Sequence, residues 1–339
     1  MQTGKLRPSK YVPRIQGKVR LVVVAVILFW VANNVGVVIS NKYIFKVLVW
    51  QHPITLSAVH MLVCSAGSFL IIHAFKIVPA AKMSSRDYFY GIIPLGVIMA
   101  FNVVLGNVSL RYIPVSFMQT IKSLGPFWTV VVQYLFYRVV YIEKGVYLSI
   151  IPIVVGVMLA TFSEANFVLV GFLSALTSSL IGAINNSVSG KLLSHKLDPI
   201  NLIYNIAPWS FLVLAPIACY VELQSIENAK EIFLIPGLPW VLIPNALLAL
   251  ILNFSTFLFI NTTSPLTYTV VGNCKVVITI ILSVLIFGNK VSFTSGVGCF
   301  ITLVGAMYYQ RCKFSEQKKQ KKLHSTHEHD LEADINQRR

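Results

Sequence analysis

Two lysines, Lys122 and Lys275, each stand inside a long apolar run that contains no Asp or Glu. An ammonium group in hydrocarbon costs several kcal/mol unless it faces a polar cavity or meets a partner. Lys122 lies about eight residues into its run and Lys275 about nine, so at 1.5 Å per residue each is roughly 12 to 14 Å deep, near the middle of an apolar layer about 30 Å thick. All twelve acidic residues fall outside the apolar runs. The alternative partner is a backbone carbonyl in a packed bundle, but the pattern favours lysines that receive an anion from solution.

The neighbours of the lysines share their polarity. Gln119, Lys122, Pro126, Thr129 and Gln133 recur at intervals of 3, 4, 3 and 4, which puts them on one helical face. Tyr268, Gly272, Lys275, Thr279 and Ser283 form a second such face, and Ser178, Gly182, Asn185 and Ser189 a third. Small and hydroxyl residues also serve close helix packing in membranes. Two of the three stripes are centred on lysines, which points to a water-filled central cavity. Gln119, Lys122, Tyr268, Gly272, Lys275 and Thr279 on these faces form one set of candidate substrate-binding residues, and Ser123 and Asn273, beside them in the chain, are counted with them.

Those residues must be positioned by membrane helices. The chain has 339 residues, of which 56% are hydrophobic and only 12% charged, with a mean hydropathy of +0.73; soluble domains carry about a quarter charged residues. Ten apolar spans are expected near 20–40, 53–75, 88–109, 114–136, 145–162, 167–190, 200–221, 239–260, 266–287 and 292–311. The first span is too long for a signal-peptide core and should remain as a helix. Four of the five cysteines, Cys64, Cys219, Cys274 and Cys299, lie inside these spans and read as small hydrophobes rather than a disulfide framework.

The net charge of +16 has its explanation in the same spans. With ten of them, 21 of the 28 Lys and Arg residues fall on the side that holds both termini. Five fall opposite, with Glu222, Glu227 and Glu231, and two are Lys122 and Lys275. The bias predicts cytosolic termini and makes nucleic acid an unnecessary partner. The segment after Arg311, with Lys318, Lys319, Lys321 and Lys322 ahead of an acidic stretch, has no apolar period and is expected to be disordered.

The two lysine spans occupy matching places in the two halves. Lys122 is followed 16 residues later by Arg138 and then a span with Gly156; Lys275 is followed 15 residues later by Lys290 and a span with Gly305. Five spans per half is an odd number, so the second copy enters the membrane inverted. Such repeats place a substrate site near the midplane and permit alternating access. The organisation expected is a basic cytosolic N-terminus (1–18), a first five-helix repeat (19–163), a second (164–311) and a cytosolic charged tail (312–339). The fold class is an all-α membrane protein of ten transmembrane helices in two inverted repeats.

The run Leu105-Gly106-Asn107-Val108-Ser109-Leu110-Arg111-Tyr112-Ile113-Pro114-Val115-Ser116-Phe117-Met118-Gln119-Thr120-Ile121-Lys122-Ser123 resembles the plant-type Golgi UDP-galactose carriers of the triose-phosphate/nucleotide-sugar translocator family, in the drug/metabolite transporter superfamily. The likeness continues through Ser149 to Gly156, Tyr204-Asn205-Ile206-Ala207-Pro208, Gly272-Asn273-Cys274-Lys275-Val276 and Ile301 to Gly305. It implies a multi-pass Golgi membrane protein that exchanges cytosolic UDP-sugar, UDP-galactose first among them, for lumenal UMP. It also implies that Lys122 and Lys275 contact phosphate, while Tyr204, Asn205 and the Gly272–Lys275 stretch line the nucleotide or sugar side. Some UDP-galactose carriers show Lys-Thr where this chain has Lys275-Val276, which leaves the sugar open.

Other function classes fare less well. A plastid organophosphate/phosphate exchanger would carry adjacent Lys and Arg where Val276 stands, and a transit peptide longer than the 18 residues before the first span. An intramembrane enzyme or channel is the third class, but the spans hold no carboxylate and no histidine pair at ligand spacing. The chain is therefore expected not to be an enzyme and to need no cofactor or metal. His60 is the one intramembrane group able to cycle a proton, and is read first as a packed histidine. The expected partners are UDP-sugar and UMP as substrates and membrane lipid, with a homodimer left open.

Overall fold

The computed structural model describes residues 18–81, 83–138, 141, 143–164, 167–194, 197–223, 234–262, 265–288 and 292–337. The basic N-terminal segment through Gly17, and Glu227, Lys230, Glu231 and Lys290, lie outside the described residues. Among the described residues the secondary structure is helical, with no strand. Hydrocarbon offers no water to the backbone, so each segment must close its own N–H and C=O bonds.

The chain forms α1 (Lys18–Lys46), α2 (Pro53–Phe69), α3 (Ser85–Asp87), α4 (Ile93–Tyr112), α5 (Val115–Lys122), α6 (Gly125–Tyr137), α7 (Lys144–Leu148), α8 (Ile150–Phe162), α9 (Leu169–Ser194), α10 (Pro199–Val221), α11 (Leu238–Thr262), α12 (Pro265–Phe287) and α13 (Phe293–Gln337). One wide π-type turn (Leu70–Ala74) extends α2 and another (Tyr88–Ile92) joins α3 to α4. Seven stretches among the described residues are long and apolar enough to cross a membrane, in α1, α2, α3–α4, α7–α8, α9, α10 and α11, and Lys275–Phe287 is a shorter apolar helix. The expected fourth, ninth and tenth spans are helical too, as α5–α6, α12 and α13, without being among those seven.

Proline explains where the rods break. Pro126 and Pro152 have no N–H to give the carbonyls four residues before them, Lys122 and Leu148, and the helix is interrupted in each case just after that carbonyl. At the first break, Ser123 N–H reaches Thr120 O (3.1 Å) and Leu124 N–H reaches Ile121 O (3.0 Å), so one tight turn separates α5 from α6.

Helix α1 packs against α11 and α12, α2 against α10 and α4, α9 against α4, α5 and α6, and α8 against α13. The last pair touches nearly backbone to backbone. A methyl on Gly156 of α8 would stand 2.6 Å from the Gly298 carbonyl of α13, an approach that only small residues permit. Gly156 and Gly305, read in the sequence as matching positions, thus belong to helices that meet.

Two expectations need correction. A first span that ends near 40 predicts Lys42 and Lys46 in the loop that follows it, but α1 continues through both. Lys42 Nζ is buried and donates to the carbonyls of Leu110 (2.6 Å) and Ile113 (2.9 Å) at the end of α4, and Lys46 Nζ donates to Phe287 O (2.9 Å) at the end of α12. Orphan carbonyls and the negative end of the helix dipole favour an ammonium there. Glu222 does the reverse at the start of α2, accepting from the N–H groups of Ile54 (2.9 Å) and Thr55 (2.7 Å).

The second correction concerns the tail. Instead of being disordered it prolongs α13 to Gln337. After Gly305 the segment through Gln337 has neither Gly nor Pro, and Lys, Glu, Gln and Ala are good helix formers. Its first turns dock on the α6–α7 connection: Glu316 accepts from the Glu143 N–H at 2.7 Å and Lys319 pairs with the Glu143 carboxylate. That carboxylate holds the Lys319 ammonium above the usual lysine range.

Candidate functional site

Helices α5 and α12 pack against each other, which places Lys122 and Lys275 on neighbouring elements. Nothing in the sequence order of the two spans requires this; packing supplies it. Lys122 is the last residue of α5, and its Nζ lies 3.1 Å from where a β-carbon on Gly106 of α4 would stand, with Ser178 Oγ of α9 at 3.6 Å from the same point. Its own carbonyl, deprived of a helical donor by Pro126, is approached by Ser179 Oγ at 3.5 Å. Among the described residues Lys122 Nζ has no hydrogen-bond acceptor.

Lys275 differs. Its Nζ donates to Asn34 Oδ1 of α1 (3.0 Å) and lies 5.8 Å from the centroid of the Trp30 ring. Trp30, one turn before Asn34, is fixed by its indole N–H on Thr256 Oγ1 (2.9 Å) and by the Phe259 ring at 5.2 Å. The sequence reading singled out Lys275 but missed Asn34, whose signal is an Asn33-Asn34 pair inside the apolar stretch 21–39.

Gln119 is buried one turn before Lys122. Ser123 and Thr279 turn their hydroxyls onto their own helices, donating to Gln119 O (3.0 Å) and Lys275 O (2.8 Å), so they brace the backbone around the lysines. Gly272 has open space where a β-carbon would stand. Tyr268 and Asn273 belong to α12, with side chains outside the described residues. The third stripe faces α4: Ser178 Oγ donates to the Asn102 carbonyl and lies equally near Asn102 Oδ1 (both 3.1 Å), while Asn185 Oδ1 and Ser189 Oγ are buried without a partner among the described residues.

Tyr204 and Asn205 line a cavity of about 400 Å³ with Leu62, Ser65, Phe69, Tyr88 and Pro208, and neither lysine is in its lining. Tyr204 OH lies 3.2 Å from His73 Nε2, and the two rings are 5.5 Å apart. Pro208 stands four residues after Tyr204 and takes away the donor for the Tyr204 carbonyl, as Pro126 does for Lys122. The structure therefore offers two lysines on packed helices and an aromatic cavity with hydroxyl and amide groups whose lining includes neither of them.

His60 is part of a buried network that sequence reasoning did not find. Its Nε2–H donates to Asn245 Oδ1 (2.5 Å); Asn245 Nδ2 donates to Ser40 Oγ (2.6 Å) and Asn41 Oδ1 (2.7 Å). Asn41 Nδ2 donates to Asn107 Oδ1, and Asn107 Nδ2 to Ser57 Oγ, both at 2.8 Å. The network ties α1, α2, α4 and α11 together, and its only signal in the sequence is one Asn near an end of each of three apolar runs.

The sequence profile of the Triose-phosphate Transporter family matches residues 21–310. The chain is 39% identical to UDP-galactose transporter 1 of Arabidopsis thaliana over 288 residues, 84% of each chain. It is equally 39% identical to the GDP-mannose transporter GONST5 of the same plant, over 84% of this chain and 83% of that one. A probable sugar phosphate/phosphate translocator of Arabidopsis thaliana is 35% identical, over 87% of this chain and 96% of its own. One solved crystal structure aligns with 87% of this chain and 96% of its own at a TM-score of 0.55 and 13% identity, a likeness of fold alone.

Proposed function

The chain belongs to the Triose-phosphate Transporter family, and from that premise we propose that it is a nucleotide-sugar antiporter, exchanging cytosolic UDP-sugar for lumenal UMP across the Golgi membrane. UDP-galactose is the first sugar to test, since one relative carries that name; GDP-mannose is the second, on a relative of equal identity. In this reading ten spans form two inverted repeats, both termini are cytosolic, and alternate opening exposes the lysines to either side.

The observation that carries the proposal is the placement of Lys122 and Lys275 on two helices that pack together, in spans that hold no carboxylate. Two ammonium groups in a low-dielectric interior repel each other and need anions. A diphosphate diester carries about two negative charges, and UMP offers a phosphate to the same two groups. Tyr204, Asn205, Phe69 and Tyr88 surround a space able to take a planar base or a sugar by stacking and hydrogen bonding. A substrate that neutralises the lysines lowers the cost of reorientation, and a carrier without one reorients slowly. Exchange follows from that difference.

A second reading, exchange of organophosphate for phosphate, is favoured by the 35% identical relative and would need only the lysines. Reconstituted vesicles distinguish them. Vesicles preloaded with UMP should take up labelled UDP-galactose far faster than empty ones, and neither a pH gradient nor a membrane potential should replace UMP. Equal uptake into empty and preloaded vesicles sinks the exchange mechanism; rapid uptake driven by internal inorganic phosphate would favour the second reading.

A further inference from the structure

Only one of the two lysines has a side-chain partner among the described residues, and that partner is uncharged. We propose that Asn34 is a neutral stand-in for substrate phosphate at Lys275: its carbonyl oxygen holds the ammonium until an anion displaces it, and so sets the affinity of the carrier. The inference rests on the reading of Lys275 as a phosphate ligand.

The geometry carries it in three steps. First, Lys275 Nζ has three donor protons; Asn34 Oδ1 takes one at 3.0 Å, and the Trp30 ring lies on another side at 5.8 Å. One donor is thus already committed, and a phosphate that draws on all three must compete with Asn34 for it. Second, the partners differ in freedom. Trp30 is 1% exposed and fixed between Thr256 and Phe259, whereas Asn34 is half-buried and keeps only this side-chain bond among the described residues. An arriving anion therefore displaces Asn34 and leaves the ring.

Third, the residue type fits the task. A carboxamide presents the oxygen of a carboxylate without its charge, so it solvates the ammonium and still yields to phosphate. An aspartate of the same shape would pair with Lys275 permanently. The exchange of partners also has a structural consequence, because Asn34 is on α1 and Lys275 on α12. Anion binding removes this polar tie between the two helices.

The test uses the purified full-length protein and UMP as probe, with affinity measured by calorimetry in detergent. Asn34→Leu, which keeps the volume but offers no acceptor, should bind UMP about fivefold tighter, since nothing must be displaced. Asn34→Asp should bind at least about tenfold weaker, since a charge now competes with the phosphate. Asn34→Ala should follow Asn34→Leu in sign and serves if the aspartate variant does not fold. A merely structural Asn34 would weaken binding in every variant, and that result, or unchanged affinity in all of them, overturns the proposal. Lys275→Ala separates the two layers. If it binds UMP as the unaltered protein does, the phosphate reading itself fails and this inference with it; if it loses binding while Asn34→Leu gains none, only the role of Asn34 is wrong.

Discussion

Gly106 and Lys122 fit together because one of them has no side chain: a β-carbon on Gly106 would stand 3.1 Å from the Lys122 ammonium and 3.6 Å from Ser178 Oγ. The group it would meet is the far end of a flexible side chain, so a single methyl is absorbed by a small shift of Nζ. Gly106→Ala should keep measurable exchange with a raised KM. Gly106→Val, whose branches stay fixed in a helix, should displace the ammonium and lower uptake at least about tenfold, the equivalent of roughly 1.4 kcal/mol of transition-state stabilisation. Uptake of labelled UDP-sugar into preloaded vesicles measures both, and normal uptake by the valine variant would remove Lys122 from the site.

Lys122→Ala and Lys275→Ala should each abolish exchange while the protein still folds and reaches its membrane, because each deletes a charge without leaving a new one buried. Lys→Arg at either place should also fail, since a planar fork is larger and differently directed than an ammonium. The check is vesicle uptake beside size-exclusion profiles in detergent.

Asn245 accepts from His60 and donates to Ser40 and Asn41, so its loss leaves several buried groups unpaired. Asn245→Leu should cost about 1–3 kcal/mol of stability and lower the melting temperature of the purified protein. His60→Gln should keep most of that stability, with an unchanged pH profile of uptake, because the imidazole serves here as a hydrogen-bond donor. A pH profile that moves with His60 would instead make it part of a proton pathway.

The tail can now be divided. Truncation after Gln320 keeps Glu316 and Lys319 on Glu143 and should leave both exchange and melting temperature intact. Truncation after Lys313 removes both contacts and should lower the melting temperature slightly without abolishing exchange. Loss of transport in purified vesicles after either cut would make the tail part of the mechanism.

Composition and span length were enough to identify a multi-pass membrane protein, and the two intramembrane lysines to propose an anionic cargo, because hydrocarbon tolerates an ammonium only for a reason and that cost is local to the chain. A period of 3.6 residues fixes which side chains share a side within one rod, but the turn between α5 and α6 interrupts the face read through Gln119, Lys122, Pro126, Thr129 and Gln133. Tertiary structure decided which faces meet. It set Lys122 against Gly106, gave Lys275 a partner in Asn34, put Tyr204 and Asn205 in a cavity whose lining includes neither lysine, and joined Asn41, Asn107, Asn245 and His60 across four helices. These pairings lie 16 to 241 residues apart in sequence, and the rotation of one rod against another, which no local pattern encodes, is what brings them together.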